Sequence, residues 1–264
     1  MRTSMTLALK DGIARITFSR GETGNAIDLQ FGREFREAVE TVFAESATRV
    51  LVLAAQGRNF CVGGDLRAMR EAGDGVSTYI KELTRELHTG ILQLYHAPVP
   101  VIAEVNGTAA GAGLGLVLSA DLAIAARRAR FVPAYGAVGL TPDGGCTFAL
   151  PRAVGRGRAL SMFLNNTPVD ADTALAWGLV SEVVEDSQLA TAVSLAATRL
   201  ALGPKAAFAG TKRLITQSFE GLAAQLDLES RSIAERADSR EGREGIAAFL
   251  SKRSADFRAV EAAN

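Results

Sequence analysis

The chain has 264 residues, 48% hydrophobic and 22% charged, with Lys+Arg 29 against Asp+Glu 29 for a formal net charge of +0. That balance supports a globular protein of one large or two small domains and argues against a general nucleic-acid binder, which carries a basic surplus. Two cysteines (Cys61, Cys146) and two histidines (His88, His96) supply neither a disulfide framework nor metal-ligand spacing, so no metal is expected. The first ten residues lack a secretory apolar core, and the longest uncharged apolar stretch, Val105–Ala120, falls short of the ~20 residues that cross a bilayer. No membrane partner and a cytoplasmic location are the expectation.

In chain order, Leu7–Leu9 and Ile13–Phe18 flank Asp11-Gly12 and predict a hairpin with a two-residue turn. Residues 30–45 show helical spacing, with Phe31, Phe35, Val39 and Phe43 on one face. Val50–Ala54 is continuously apolar, as in a strand buried on both faces. A loop over 56–64 leads to a helix starting near Asp65, and 77–95 is a strong helical pattern stopped by Pro98 and Pro100. A strand over 99–105, a glycine turn, a helix over 112–121 and a strand over 122–126 follow. The recurrence of strand, glycine loop and helix predicts an α/β fold. From Pro204 onward strand signals cease, and 205–253 reads as helices with Glu/Arg-rich exposed faces suited to packing on a partner subunit.

Four segments carry chemistry. Phe60-Cys-Val-Gly-Gly-Asp-Leu66 and Val105-Asn-Gly-Thr-Ala-Ala-Gly-Ala-Gly113 both pass from loop through glycine into helix, where amide N–H groups lack intrahelical partners. Each alone is explained by a tight turn or a glycine-packed helix. Together they can aim one N–H apiece at a single oxygen, as an oxyanion hole. No residue of the second segment can act as a base, so a base must come from elsewhere. In Gly139-Leu-Thr-Pro-Asp-Gly-Gly-Cys-Thr147, Asp143 is on local grounds a turn residue or helix N-cap. Phe249–Phe257 reads locally as the frayed end of a helix with a solvated Lys-Arg pair. The arginine clusters 127/128/130 and 152/156/158 read as solvated edges or phosphate contacts.

The succession FCVGGDL, AEVNGTAAGAG, VGLTPDGGCTFALPRAVGRGRA, AWGLVSEVV and FLSKR resembles the crotonase (enoyl-CoA hydratase/isomerase) superfamily over nearly the whole chain, from about residue 20 to 257. The resemblance implies a crotonase-like spiral of ββα units over 1–200 and a helical trimerisation region over 201–264, assembled as a homotrimer or dimer of trimers. It implies a coenzyme A thioester substrate and no separate cofactor, since the CoA belongs to the substrate. The oxyanion-hole amides map to Gly64 and Ala112. Gly63, Asp65, Gly111 and Tyr135 map to substrate-binding positions, and Phe249 and Lys252 to positions that contact the CoA nucleotide, commonly from a neighbouring subunit.

The chain departs from the hydratase pattern at both catalytic glutamates, whose positions hold Gly115 and Tyr135. Neither residue serves as a general base near neutral pH. Asp143 matches the aspartate of superfamily members such as dienoyl-CoA isomerases, phenylacetate-pathway ring-epoxide isomerases and 4-chlorobenzoyl-CoA dehalogenases. The spacing around it, with the later QLDLE run at 225–229, is most similar to the phenylacetate-type isomerases. The expectation is therefore an acyl-CoA isomerase in which Asp143 moves a proton between the α and γ carbons of an enolate. For dehalogenation, a histidine position counted from Pro98 falls on Gly90 and a tryptophan position on Tyr135, against that branch; Gly115 resembles it. His88 and His96 read as ordinary helix-surface or helix-end residues, and Glu82 and Glu86 as a solvated face. The other readings are a hydratase-like enzyme of different specificity, a CoA-thioester-binding protein without catalysis, and a moonlighting nucleic-acid binder.

Overall fold

A computed structural model describes residues 3–217, 221–257 and 259. Strands β1 (Met5–Lys10) and β2 (Ile13–Phe18) form the expected hairpin. Asp11 and Gly12 both take positive φ, 52° and 77°, giving the turn whose twist matches paired strands. Helix α1 (Leu29–Ala44) starts where Asp28 accepts the Phe31 N–H. It buries Phe31, Phe35, Val39 and Val42; Val42, not Phe43, completes the inner stripe. The chain continues through β3 (Val50–Ala55), α2 (Leu66–Glu71), α3 (Val76–Tyr95) and β4 (Val101–Val105).

Next come β5 (Thr108–Ala110), α4 (Ala112–Leu118), β6 (Leu122–Ala126) and β7 (Arg130–Val132). Strand β5 lies inside the segment expected to be a glycine turn. It forms because Thr108–Ala110 find a parallel partner in Arg130–Val132, a pairing distant in sequence. Helices α5 (Cys146–Val154) and α6 (Arg156–Asn165) precede β8 (Val169–Asp170), α7 (Ala171–Ala176), β9 (Glu182–Val184) and α8 (Leu189–Ala201). Helices α9 (Lys205–Gln217), α10 (Leu222–Asp238) and α11 (Arg240–Leu250) bear out the helical reading after Pro204.

The main sheet runs β1-β2-β3-β4-β6-β9, parallel from β2 onward, and the second sheet runs β5-β7-β8. Strand β3 is apolar throughout because both its faces are covered. Leu51 and Leu53 enter the core with α1 and α3, while Val50, Val52 and Ala54 pack with Leu189, Val193 and Ala197 of α8. Phe18 joins the larger core through rings of Phe31 at 5.0 Å and Phe60 at 5.4 Å, tying the hairpin to the loop that precedes α2. Helix α10 packs on α3 and α5. It therefore reaches the floor of the site as well as offering an outer face.

Candidate active site

Two strand-to-helix loops are laced together at one edge of the second sheet. The amides of Phe60 and Cys61 donate to the Thr108 carbonyl at 3.0 and 3.1 Å, and Ala110 N–H donates to the Cys61 carbonyl at 2.8 Å. Glycine permits the approach. A Cβ on Gly63, whose φ is +88°, would lie 2.8 Å from the Ala110 carbonyl oxygen, and one on Gly113 would lie 2.3 Å from that of Cys61. Gly64, before the start of α2, and Ala112, the first residue of α4, are thereby brought to the wall of one cavity of about 260 Å³. Among the described residues neither amide has an acceptor.

Gly63, Gly111, Tyr135, Asp143 and Phe249 line the same cavity. Asp143 is buried, and the Tyr135 hydroxyl donates to its Oδ1 at 2.7 Å. Burial pushes the Asp143 carboxyl up to about 6, with the Tyr135 hydrogen bond acting in the opposite direction. Burial and the neighbouring carboxylate raise the Tyr135 phenol well above its ordinary range, so it is a neutral donor. The site thus holds one carboxyl group that titrates near neutrality beside two unengaged amides.

Asp65 lies outside the cavity lining, and its carboxylate is occupied at the start of α2, accepting from Arg67 N–H at 2.9 Å. Lys252 sits in an exposed turn after α11, also outside that lining. Glu82 pairs with Arg33 and Glu86 with Arg36 and Arg85, on the outer side of α3. Arg127 and Arg128 are paired at the surface with Asp172, Glu185 and Asp186, as a solvated edge.

The reading of His88 as a helix-surface residue is overturned. Its side chain is buried, and Nε2 accepts the Gly144 N–H at 3.1 Å, directly behind Asp143. Burial lowers its pKa to about 4, so the imidazole is neutral. The histidine that α3 directs at the aspartate loop is therefore His88, whereas a Cβ on Gly90 would meet the Phe35 ring at 2.7 Å. Position 115 has an equally local cause. A Cβ there would lie 2.3 Å from the Gly144 carbonyl oxygen, so α4 uses glycine to admit the loop bearing Asp143.

Sequence patterns missed two further groups. Ile80, Leu83, Thr84 and Leu87 of α3 line the cavity with Met69 and Ile233, making its far wall apolar; their helical spacing is indistinguishable from that of an ordinary core stripe. Glu229 of α10 is buried against the start of α5, and its only sequence signal is the QLDLE run. Among the described residues no cluster of three or more His, Cys, Asp or Glu side chains is arranged to hold a metal ion, and no helix is long and apolar enough to cross a membrane.

An α/β core brings two glycine loops, with the Gly64 and Ala112 amides, to one cavity that also holds a buried carboxyl group. The family model for enoyl-CoA hydratase/isomerase matches residues 8–260. The chain is 40% identical to a Rhodobacter capsulatus protein designated "Probable enoyl-CoA hydratase" over 94% of this chain and 95% of that protein. It is 35% identical to the 1,2-epoxyphenylacetyl-CoA isomerase of Escherichia coli, over 94% and 96%. Among solved structures, an enoyl-CoA hydratase from Mycobacterium avium subsp. paratuberculosis superposes with a TM-score of 0.88 at 30% identity, covering 96% of this chain and 98% of the other. The chain belongs to the enoyl-CoA hydratase/isomerase family, the crotonase superfamily, and has its fold.

Proposed function

We propose that the protein is an acyl-CoA isomerase that moves a double bond in an enoyl thioester. One observation carries this: the cavity that holds the free Gly64 and Ala112 amides contains Asp143, while the two positions where hydratases of the family keep glutamates are Gly115 and Tyr135. Asp143 takes a proton from the α carbon of a 3-enoyl thioester, and the electron pair moves onto the thioester oxygen. The Gly64 and Ala112 N–H groups hold that enolate, each donor of this kind being worth ~3 kcal/mol in the transition state. The same carboxyl group then returns the proton at the γ carbon, giving the 2-enoyl thioester. Because one group both takes and returns the proton, neither a second base nor a separate cofactor is required. Opening and expanding an aromatic ring epoxide would use the same parts, as the likeness to the epoxyphenylacetyl-CoA isomerase suggests. The CoA nucleotide would lie toward Phe249 and Lys252, with a neighbouring subunit completing a trimer or dimer of trimers.

The direct test is conversion of a 3-enoyl-CoA to its 2-enoyl isomer, followed by absorbance of the conjugated thioester. Absence of turnover on 3-enoyl and ring-epoxide thioesters alike, with intact binding, would leave a binding protein instead. The chain is also 34% identical over 196 residues to a 4-chlorobenzoyl coenzyme A dehalogenase of Arthrobacter, and His88 lies behind Asp143. That supports a second reading, with Asp143 as nucleophile on an aryl thioester and chloride release as its assay. Isomerisation is preferred because the accepting nitrogen of His88 is taken by Gly144 N–H and is not available to activate water.

Tyr135→Phe separates the carboxylate's environment from the rest of the site. Removing the hydroxyl takes a hydrogen bond from the ionised form of Asp143 and raises its pKa. The acid limb of kcat/KM is expected to move to higher pH, with the rate at pH 8 falling less than at pH 6. A limb that stays in place, or moves down, would remove Tyr135 from this role.

A further inference from the structure

Asp143 stands three residues before the first residue of α5, in an Asp-Gly-Gly-Cys turn, where an aspartate ordinarily folds back and accepts the first free N–H groups of the helix. It does not do so here. The Gly145 N–H donates to Glu229 Oε2 at 2.7 Å, and the Thr147 N–H donates to Glu229 Oε1 at 2.9 Å. The Thr147 hydroxyl also donates to Oε1 and accepts from Gln225 Nε2. Of the other nearby amides, Gly144 N–H goes to His88 Nε2 at 3.1 Å and Cys146 N–H to the Asp143 backbone carbonyl at 3.1 Å. A carboxylate from α10 and an imidazole from α3 thus occupy the donors that the Asp143 side chain would otherwise capture. They also hold the backbone of the loop from both sides. Glu229 has no described ion pair with Lys or Arg, so its placement answers to these amides and not to a salt bridge.

We infer that Glu229 is a positioning residue for the active site: by capping α5 in place of Asp143, it releases the Asp143 side chain to the cavity. This rests on Asp143 being the reacting carboxylate of the proposed function. The consequence is electrostatic as well as geometric. Helix N-terminal N–H groups stabilise an adjacent anion and weaken it as a base. With those donors used by Glu229, Asp143 keeps a single side-chain donor, Tyr135. The titratable groups packed around the pair are Tyr135 on the preceding loop, Cys146 on α5, His88 and Tyr95 on α3, and Glu229 itself on α10. Among the described residues neither carboxyl group has an ion pair with a cation, and Arg152 of α5 acts on Tyr95. Burial brings the Glu229 carboxyl up to about 7, with its three donors opposing that and the nearby Asp143 carboxylate adding to it.

Two NMR measurements test this without relying on turnover. In protein carrying 13C-carboxyl aspartate, the Asp143 resonance is assigned by its loss in Asp143→Asn. In Glu229→Gln its titration is expected to move down by about half a pH unit or more, because an amide at the start of α5 is freed to hydrogen-bond its ionised form. Turnover of a 3-enoyl-CoA should fall about tenfold or more with KM little changed, since the acyl cavity itself is untouched. An unchanged or upward titration in folded Glu229→Gln overturns the proposal. The second measurement uses Asp143→Asn, which keeps Glu229. The Gly145 and Thr147 amide protons should remain protected from exchange and keep a pH-dependent shift, because their partner is Glu229. Loss of both in that variant would show that Asp143 caps α5 and would also overturn the proposal, even if Glu229→Gln does not fold. Should the wild type fail to isomerise any enoyl thioester while both NMR results hold, the proposed function falls and the capping role of Glu229 stands.

Discussion

Asp143→Asn is expected to lower isomerase turnover by on the order of 10²–10⁴-fold while leaving affinity for the thioester nearly unchanged, the signature of losing a proton-transfer group but keeping the oxyanion hole. The same variant should be more stable than the wild type at alkaline pH. The folded-state pKa of Asp143, about 6, is raised above its ordinary 3.8 by burial. A carboxyl group raised in this way contributes its full stability below about pH 4 and loses it as pH rises through 6. Holding the charge in the cavity at pH 8 costs about 3 kcal/mol by this linkage, and Asn carries no such charge. Scanning calorimetry at pH 8 should therefore show a higher Tm for Asp143→Asn, with the gap closing towards pH 4. Equal melting at pH 8, or full turnover by the variant, would mean that Asp143 is not the buried base.

Gly115→Glu, which restores one hydratase carboxylate, is expected to destroy the present activity without creating hydration. Its Cβ would have to occupy space 2.3 Å from the Gly144 carbonyl oxygen, and a backbone carbonyl cannot swing aside as a side-chain tip can. The loop 143–145 must shift, taking Asp143 out of register with Gly64 and Ala112. Overpacking of this kind costs ~1–3 kcal/mol. For a chain of this size each kcal/mol lowers Tm by roughly 2–4 °C. Turnover of 3-enoyl thioester should drop on the order of 100-fold, in line with the sensitivity of positioned reactions to displacements near 1 Å. Hydration of a 2-enoyl-CoA by the variant, or a melting temperature equal to the wild type, would refute this account of position 115. A glutamate and the Asp143 loop compete for the same space, so the chain carries one or the other.

Much of the fold was legible because its signals are local. The hairpin turn at Asp11-Gly12 needs two residues that tolerate positive φ, and the sequence places them there. The β3 run Val50–Ala54 has no polar face because it is buried on both sides. The glycine loops at 63–64 and 111–113 announced close backbone approach, which is what their packing requires. Less legible were contacts joining residues far apart. Strand β5 exists because of a parallel partner 22 residues on, and nothing within Thr108–Ala110 distinguishes it from a turn.

His88 and Glu229 show the same limit in the site. A histidine on an amphipathic helix carries no mark of whether it faces solvent or a loop 56 residues away. Glu229 lies on a helix rich in exposed charges and differs from them only in what α10 packs against. The residues of the candidate oxyanion hole could be named from their motifs, and so could Asp143, although the residues around Asp143 by themselves read as a turn or helix N-cap and only the resemblance of the motifs gave it a catalytic role. By itself, the sequence determined the α/β order and the glycine turns, because each depends on residue type and near spacing, while the absence of glutamate at 115 and 135 and the standing of Asp143 came from the resemblance of the motifs to a family. Only the tertiary structure decided which carboxylate caps α5 and which opens into the cavity. That choice depends on Glu229 arriving from 84 residues away to take the Gly145 amide, a contact with no local trace in either segment.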